Sequence, residues 1–83
     1  MKYCLITFRS VTPGQWAEGY LQKMGVECTL RRTPRWMEEQ GCGYSLRVGF
    51  SDIASAVQLL RKQQIPFRKV YLQTDGKVEE MAV

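Results

Sequence analysis

Thr33-Pro34-Arg35-Trp36-Met37-Glu38-Glu39-Gln40-Gly41-Cys42-Gly43 joins two strand-like segments, and the reading of this connection decides the fold. It is too long for a tight two-residue hairpin loop. Thr33-Pro34 is a helix-cap and first-turn signal, so Pro34 to Gln40 is expected to form at most a short helical turn that Gly41 closes. The stretch ends with Cys42 between two glycines, and Arg31, Arg32, Arg35 and Arg47 lie on both sides of it. A thiol without bulky sequence neighbours is open to a large electrophile, and nearby positive charge favours the reactive thiolate. The competing reading is a plain linker whose glycines make a turn and whose cysteine is incidental.

Working outward, Glu27 to Arg32 alternates as a half-buried strand, with Cys28 and Leu30 on one side and Glu27, Thr29 and Arg31 on the other. Tyr44 to Phe50 reads as the next strand, with Tyr44, Leu46, Val48 and Phe50 inward and Ser45, Arg47 and Gly49 outward. Upstream, Lys2 to Phe8 is apolar on both faces, as a central strand is, and Cys4 is expected to be a core residue. Thr12-Pro13 with Gln15 predicts a capped helix, in which Trp16, Ala17, Tyr20, Leu21 and Met24 form the buried stripe and Gly25 ends the run. Downstream, Ser51 or Asp52 caps a second helix with Ile53, Ala56, Val57 and Leu60 inward. Phe67 to Leu72 follows as a fourth strand, and residues 73–83 as a polar tail or an extra strand after the Asp75-Gly76 turn signal.

The order strand, helix, strand, strand, helix, strand predicts an α+β fold, a ferredoxin-like βαββαβ sandwich over residues 1–72. Its four-stranded antiparallel sheet carries two helices on one face. The first and third strands are expected side by side and parallel at the centre. Both helices are expected to end at the rim where Cys42 lies, so their negative dipole ends would oppose a thiolate there. Activation then falls to Arg35, Arg32 or Arg47, or to backbone N–H groups around Gly41 to Tyr44.

Composition narrows the chemistry. An apolar content of 45% over 83 residues suits one globular domain with a modest core. No apolar run is long enough to span a membrane, and the N-terminus does not read as a signal peptide. The three cysteines, at positions 4, 28 and 42, form neither a disulfide framework nor a zinc spacing, which points to reduced thiols in the cytoplasm. Histidine is absent, so no Ser-His or Cys-His nucleophile pair exists within the chain and no metal site is expected. A net charge of +4 permits anionic partners without demanding them.

Three stretches in this order carry a family likeness: Tyr3-Cys4-Leu5-Ile6-Thr7-Phe8-Arg9-Ser10, the Thr33-Pro34-Arg35 triplet and the Cys42-Gly43 pair. Together they resemble the selenium/sulfur carrier protein-like family of small bacterial domains, over about Lys2 to Leu72. The resemblance implies that Cys42 is the carrier thiol, that Gly43 gives it room, and that Thr33, Pro34 and Arg35 shape the loop presenting it. It implies a stoichiometric carrier rather than an enzyme, holding sulfur or selenium as a persulfide or selenosulfide. A donor enzyme and an acceptor protein would be its partners, and no cofactor is implied. The chain departs from the family pattern where small hydroxyl residues commonly precede the Cys-Gly pair. Here Glu38-Glu39-Gln40-Gly41 stands instead, and carboxylates beside a thiol raise its pKa.

Two alternatives belong to other classes. A non-catalytic interaction module would dimerise or bind a partner through the open sheet face or an edge strand. An RNA-binding domain would stack bases on that face, and Cys42 to Val48 echoes the third-strand motif of such domains. The echo lacks the motif's basic first residue and one of its aromatics, which argues against nucleic acid.

Overall fold

The computed structural model describes residues 2–34 and 43–82. Tyr3–Phe8 (β1) and Tyr44–Gly49 (β3) form the centre of a five-stranded sheet in which Cys28–Arg32 (β2), Val70–Thr74 (β4) and Lys77–Met81 (β5) complete the order β2-β3-β1-β4-β5. Val11–Lys23 (α1) and Ile53–Lys62 (α2) are its helices. Every neighbouring pair is antiparallel. The β1–β3 pair corrects the expectation of parallel central strands: Tyr3 lies opposite Gly49 and Phe8 opposite Tyr44. A crossover helix between β1 and β2 makes those two strands run the same way, and β3 enters between them in the opposite sense.

The fifth strand corrects the expected count of four. Lys77–Met81 returns from the turn at Gly76, whose φ is +75°, and pairs with β4 in a register that sets Thr74 opposite Lys77. Asp75-Gly76 is a favoured pair for such a two-residue hairpin loop, since glycine tolerates the left-handed conformation. β4 begins at Val70, three residues after the strand start read from Phe67, because Pro66 and two backbone bonds, Arg68 N–H to Thr7 O and Thr7 N–H to Lys69 O, form the approach to it.

The core lies on the face that alternate residues of the central strands present to both helices. Cys4, Ile6 and Phe8 from β1 pack with Leu46 and Val48 from β3, and Leu21 and Leu60 close the layer from the helices. The α2 stripe is as expected, with Ile53, Ala56, Val57 and Leu60 all buried.

The stripe on α1 holds at Ala17 and Leu21, which are buried, and at Tyr20, which packs against the core, but not at Trp16 and Met24. Trp16 is 61% exposed and Met24 51%, while Gly14, Ala17 and Leu21 face the sheet. The reason is close approach at Gly14: a Cβ built there would stand 2.9 Å from Leu30 Cδ1. Residues 14, 17 and 21 share one helical face, and seating that face on β2 turns Trp16 outward. Gly14→Val is therefore expected to destabilise the fold by about 1–3 kcal/mol in urea denaturation through overpacking against Leu30. Trp16→Ala should cost less, and a larger loss at Trp16 than at Gly14 would contradict this packing.

The helix boundaries shift too. α1 starts at Val11 with Ser10 as its N-cap and no side-chain capping bond, so Thr12 lies inside the first turn rather than at the cap. Its C-terminus follows the sequence reading. Gly25, at φ +86°, bonds through its N–H to Gln22 O, and Val26 N–H bonds to Leu21 O, the paired bonds of a Schellman motif. α2 ends in the same two bonds with Gln64 at φ +57° in the place of the glycine. Phe50, expected inward as the end of β3, instead begins a 3-10 turn through Asp52 and is 43% exposed.

The free edge of β2 is covered by α1. Leu30 N–H donates to the Glu18 carboxylate at 2.8 Å, and the Gln22 amide donates to Cys28 O at 3.1 Å. These two backbone groups point away from β3, so the helix satisfies two of the groups through which another strand would pair.

Candidate functional site

The connection from β2 to β3 leaves the sheet through a closed base. The ladder that sets Arg32 opposite Tyr44 extends one pair further, where Thr33 N–H donates to Gly43 O at 2.9 Å. Arg35 and Cys42 lie outside the described residues, as do the expected helical turn over Pro34 to Gln40 beyond Pro34 itself, and Trp36, Met37 and the two glutamates. The base of the loop is therefore what the structure defines. Thr33 is buried, and among the described residues its Oγ1 is the buried side-chain oxygen or nitrogen without a hydrogen-bond partner. A hydroxyl left in that state costs about 1–3 kcal/mol and keeps a donor available at the mouth of the connection. Pro34 is exposed. A Cβ added at Gly43 would meet nothing within 4 Å, so there is open space beside the residue that follows Cys42.

The register decides what else stands at this rim. β1 ends at Phe8 opposite Tyr44, so Arg9, Ser10 and the head of α1 lie at the end of the sheet from which the connection emerges. This corrects the expectation that both helices end there: α2 does, but α1 begins there. The first turn of α1 contains no acidic residue, so its partial positive charge is not offset within the helix. The approach to β4 reaches the same end. Arg68 N–H donates to Thr7 O at 2.8 Å, and Thr7 exchanges hydrogen bonds with the Lys69 backbone. Arg9, Pro13, Pro66, Phe67 and Arg68 enclose a groove of about 320 Å³ there. The Arg61 guanidinium, at the end of α2, lies 6.0 Å from the Phe67 ring.

Of the arginines named from sequence, Arg32 is at this rim, its guanidinium 5.8 Å from the Tyr44 ring. Arg47 is not. It stands four residues along β3 from Gly43, about 13 Å at the strand rise, opposite Leu5 and Thr29, with its guanidinium 4.0 Å from the Tyr3 ring centroid. Sequence reading missed Arg9 and Arg68, which look like dispersed surface charge 59 positions apart in the chain. The signal that would have found them is topological: an antiparallel β1–β4 pair brings the end of one strand beside the start of the other.

The remaining cysteines are placed for packing. Cys4 and Cys28 are buried on the core face, and each lies opposite Val48 from a different side. Two strand spacings separate them, about 10 Å, beyond the reach of a disulfide. Burial pushes the Cys28 thiol up from the ordinary 9.0 to about 11, with the Glu18 carboxylate adding to the shift, and burial also raises Cys4. Cys28 Sγ sits 3.7 Å from Glu18 O and Cys4 Sγ 3.7 Å from Met81 Sδ. Among the described residues no cluster of three or more His, Cys, Asp or Glu residues could hold a metal ion, and no helix is long and apolar enough to cross a membrane.

A family model described as "Putative Se/S carrier protein-like" matches residues 3–72. No curated protein and no solved structure matches the chain.

Proposed function

The chain belongs to the Se/S carrier protein-like family, and from that premise we propose that it carries sulfur or selenium on Cys42 as a stoichiometric carrier. The observation that carries the reading is the convergence at one rim of the three family-like stretches. Arg9-Ser10 ends the first, Thr33-Pro34 opens the second and Gly43 closes the third, and register and hydrogen bonding set all of these at the same end of the sheet. The burial and raised pKa values of Cys4 and Cys28 support the choice of Cys42 by leaving it as the remaining thiol. We read the order β2-β3-β1-β4 as a ferredoxin-like split βαβ arrangement to which β5 is added outside β4.

In the proposed step the Cys42 thiolate attacks the outer sulfur of a donor protein's persulfide. A new S–S bond forms at Cys42, the donor's S–S bond breaks, and the donor cysteine leaves as a thiolate. No external oxidant or reductant is consumed, and selenium in the outer position gives a selenosulfide by the same exchange. Arg35, Arg32, Arg9 and Arg68 would stabilise the anionic cargo, with the head of α1 contributing a partial positive charge. The Thr33 hydroxyl would offer it a hydrogen-bond donor. Transfer onward requires an acceptor with its own thiolate or equivalent nucleophile.

The test is intact-protein mass spectrometry after incubation with a cysteine desulfurase and cysteine, and separately with a selenium donor. A mass increment of one chalcogen in the wild type, lost in Cys42→Ser, is the expected result. An increment that persists in the variant, or none from either donor, would overturn Cys42 as the acceptor.

A further inference from the structure

We propose that the face of the sheet turned away from the helices holds a second site, distinct from the Cys42 rim, that binds a small molecule through a carboxylate or phosphate group. The site is a groove of about 410 Å³ at the opposite end of β3 from the loop, formed by Lys2, Tyr3, Thr29, Arg31, Arg47 and Gly49. A volume of this size falls in the range of small-ligand pockets.

Its chemistry comes from how two arginines are held. Thr29 lies opposite Arg47 and Arg31 opposite Ser45, so Arg31 and Arg47 occupy diagonal positions on neighbouring strands and share one face. Among the described residues neither has a carboxylate partner. Two neighbouring cations without an ion pair of their own repel each other, a cost that an oxyanion between them reduces. Arg47 is also preset. Its guanidinium rests 4.0 Å from the Tyr3 ring centroid, and a stacked guanidinium leaves its in-plane N–H groups free to clasp two oxygens at once. Stacking also fixes the side chain beforehand, so less conformational freedom is lost on binding. Thr29 adds a hydroxyl beside the pair.

The rest of the lining sets the size of the ligand. Glu27 and Asp52 stand in the same groove, so three cations face two carboxylates there. That mixture leaves one net positive charge, which suits an anion of one or two negative charges. Gly49 contributes empty space: with φ at −59° it has a backbone open to any residue, and a Cβ there would have Asp52 Oδ2 at 3.7 Å as its close contact. A side chain at position 49 thus fits the fold while occupying the groove.

The experiment is a titration of the 83-residue chain, followed by backbone amide resonances, with inorganic phosphate, succinate and a short single-stranded oligonucleotide at constant ionic strength. Saturable shifts centred on residues 29, 31, 47 and 49 with phosphate or succinate are expected, and which of the two binds more tightly identifies the oxyanion. Arg47→Gln and Gly49→Val should each weaken that binding at least tenfold, Arg47→Lys should fall between them and the wild type, and Cys42→Ser should leave it unchanged. The last variant separates this site from the carrier reading, since either can fail alone. Shifts that do not saturate, that centre on the Cys42 rim, or that survive Arg47→Gln would overturn the proposal. Tight oligonucleotide binding at this face without binding of either small anion would replace it with a nucleic-acid surface.

Discussion

In the native protein a single thiol is expected to react rapidly with a dithiobis(nitrobenzoate) reagent, and the other two only when the chain unfolds. The expectation follows from the cysteines that the sheet buries. At a pH below 9, raising a thiol pKa from 9.0 to about 11 lowers its thiolate fraction about a hundredfold, and the thiolate is the attacking species. Burial beneath α1 slows Cys28 further, and Cys4 is fully buried. The rapid phase should vanish in Cys42→Ser and persist in Cys28→Ala. Two rapid thiols in the native protein would show that the core is more open than its packing implies.

The same shift carries a pH dependence of stability. The Cys28 value in the folded chain lies above that of an unperturbed thiol, so the folded form keeps its proton to higher pH than the unfolded form does. The stabilising contribution is complete below pH 9.0 and is lost as pH rises through about 11. Urea midpoints should therefore fall on the alkaline side, and Cys28→Ala should flatten that fall relative to wild type. An unchanged slope in the variant would assign the alkaline loss to other groups.

Phe8→Ala has the largest expected effect on stability, about 3–5 kcal/mol. Phe8 is fully buried, lies opposite Tyr44 at the end of β1, and immediately precedes the turn into α1. Small domains have only about 5–15 kcal/mol in total, so truncating this ring removes a large share. Because Phe8 supports the rim, the loss should also appear locally, as faster hydrogen exchange of the Thr33 N–H that closes the loop base. Phe8→Leu, which keeps most of the volume, should cost under about 1.5 kcal/mol and restore protection there. If Phe8→Ala retained the wild-type urea midpoint, the assigned core face of β1 would be wrong.

How far the sequence could be read depended on how local each signal was. The stripe of Ile53, Ala56, Val57 and Leu60 and the terminal Gly25 are governed by contacts within a few residues, and both were legible. The α1 stripe was legible only at Ala17, Tyr20 and Leu21, because Trp16 and Met24 satisfy helical periodicity as well as Gly14 does, and only the approach of Leu30 selects the exact face. Thr33, Pro34, Gly43 and Arg32 were legible as one neighbourhood because they are close in the chain. Arg9 and Arg68 were not, since their shared rim depends on β1 and β4 pairing across the whole chain.

By itself, then, the sequence determined the α+β class, the helices and strands that local periodicity specifies, the burial of Cys28 by strand alternation and of Cys4 by its apolar central strand, and a likeness strong enough to name the family. These are properties that neighbouring residues specify through side-chain period and backbone preference. Tertiary structure alone decided the antiparallel centre, the choice of a strand over a tail for residues 77–81, the outward turn of Trp16, the head of α1 at the loop rim and the separation of Arg47 from it. Each depends on which strands pair and in what register, and register is set by packing between segments far apart in the chain.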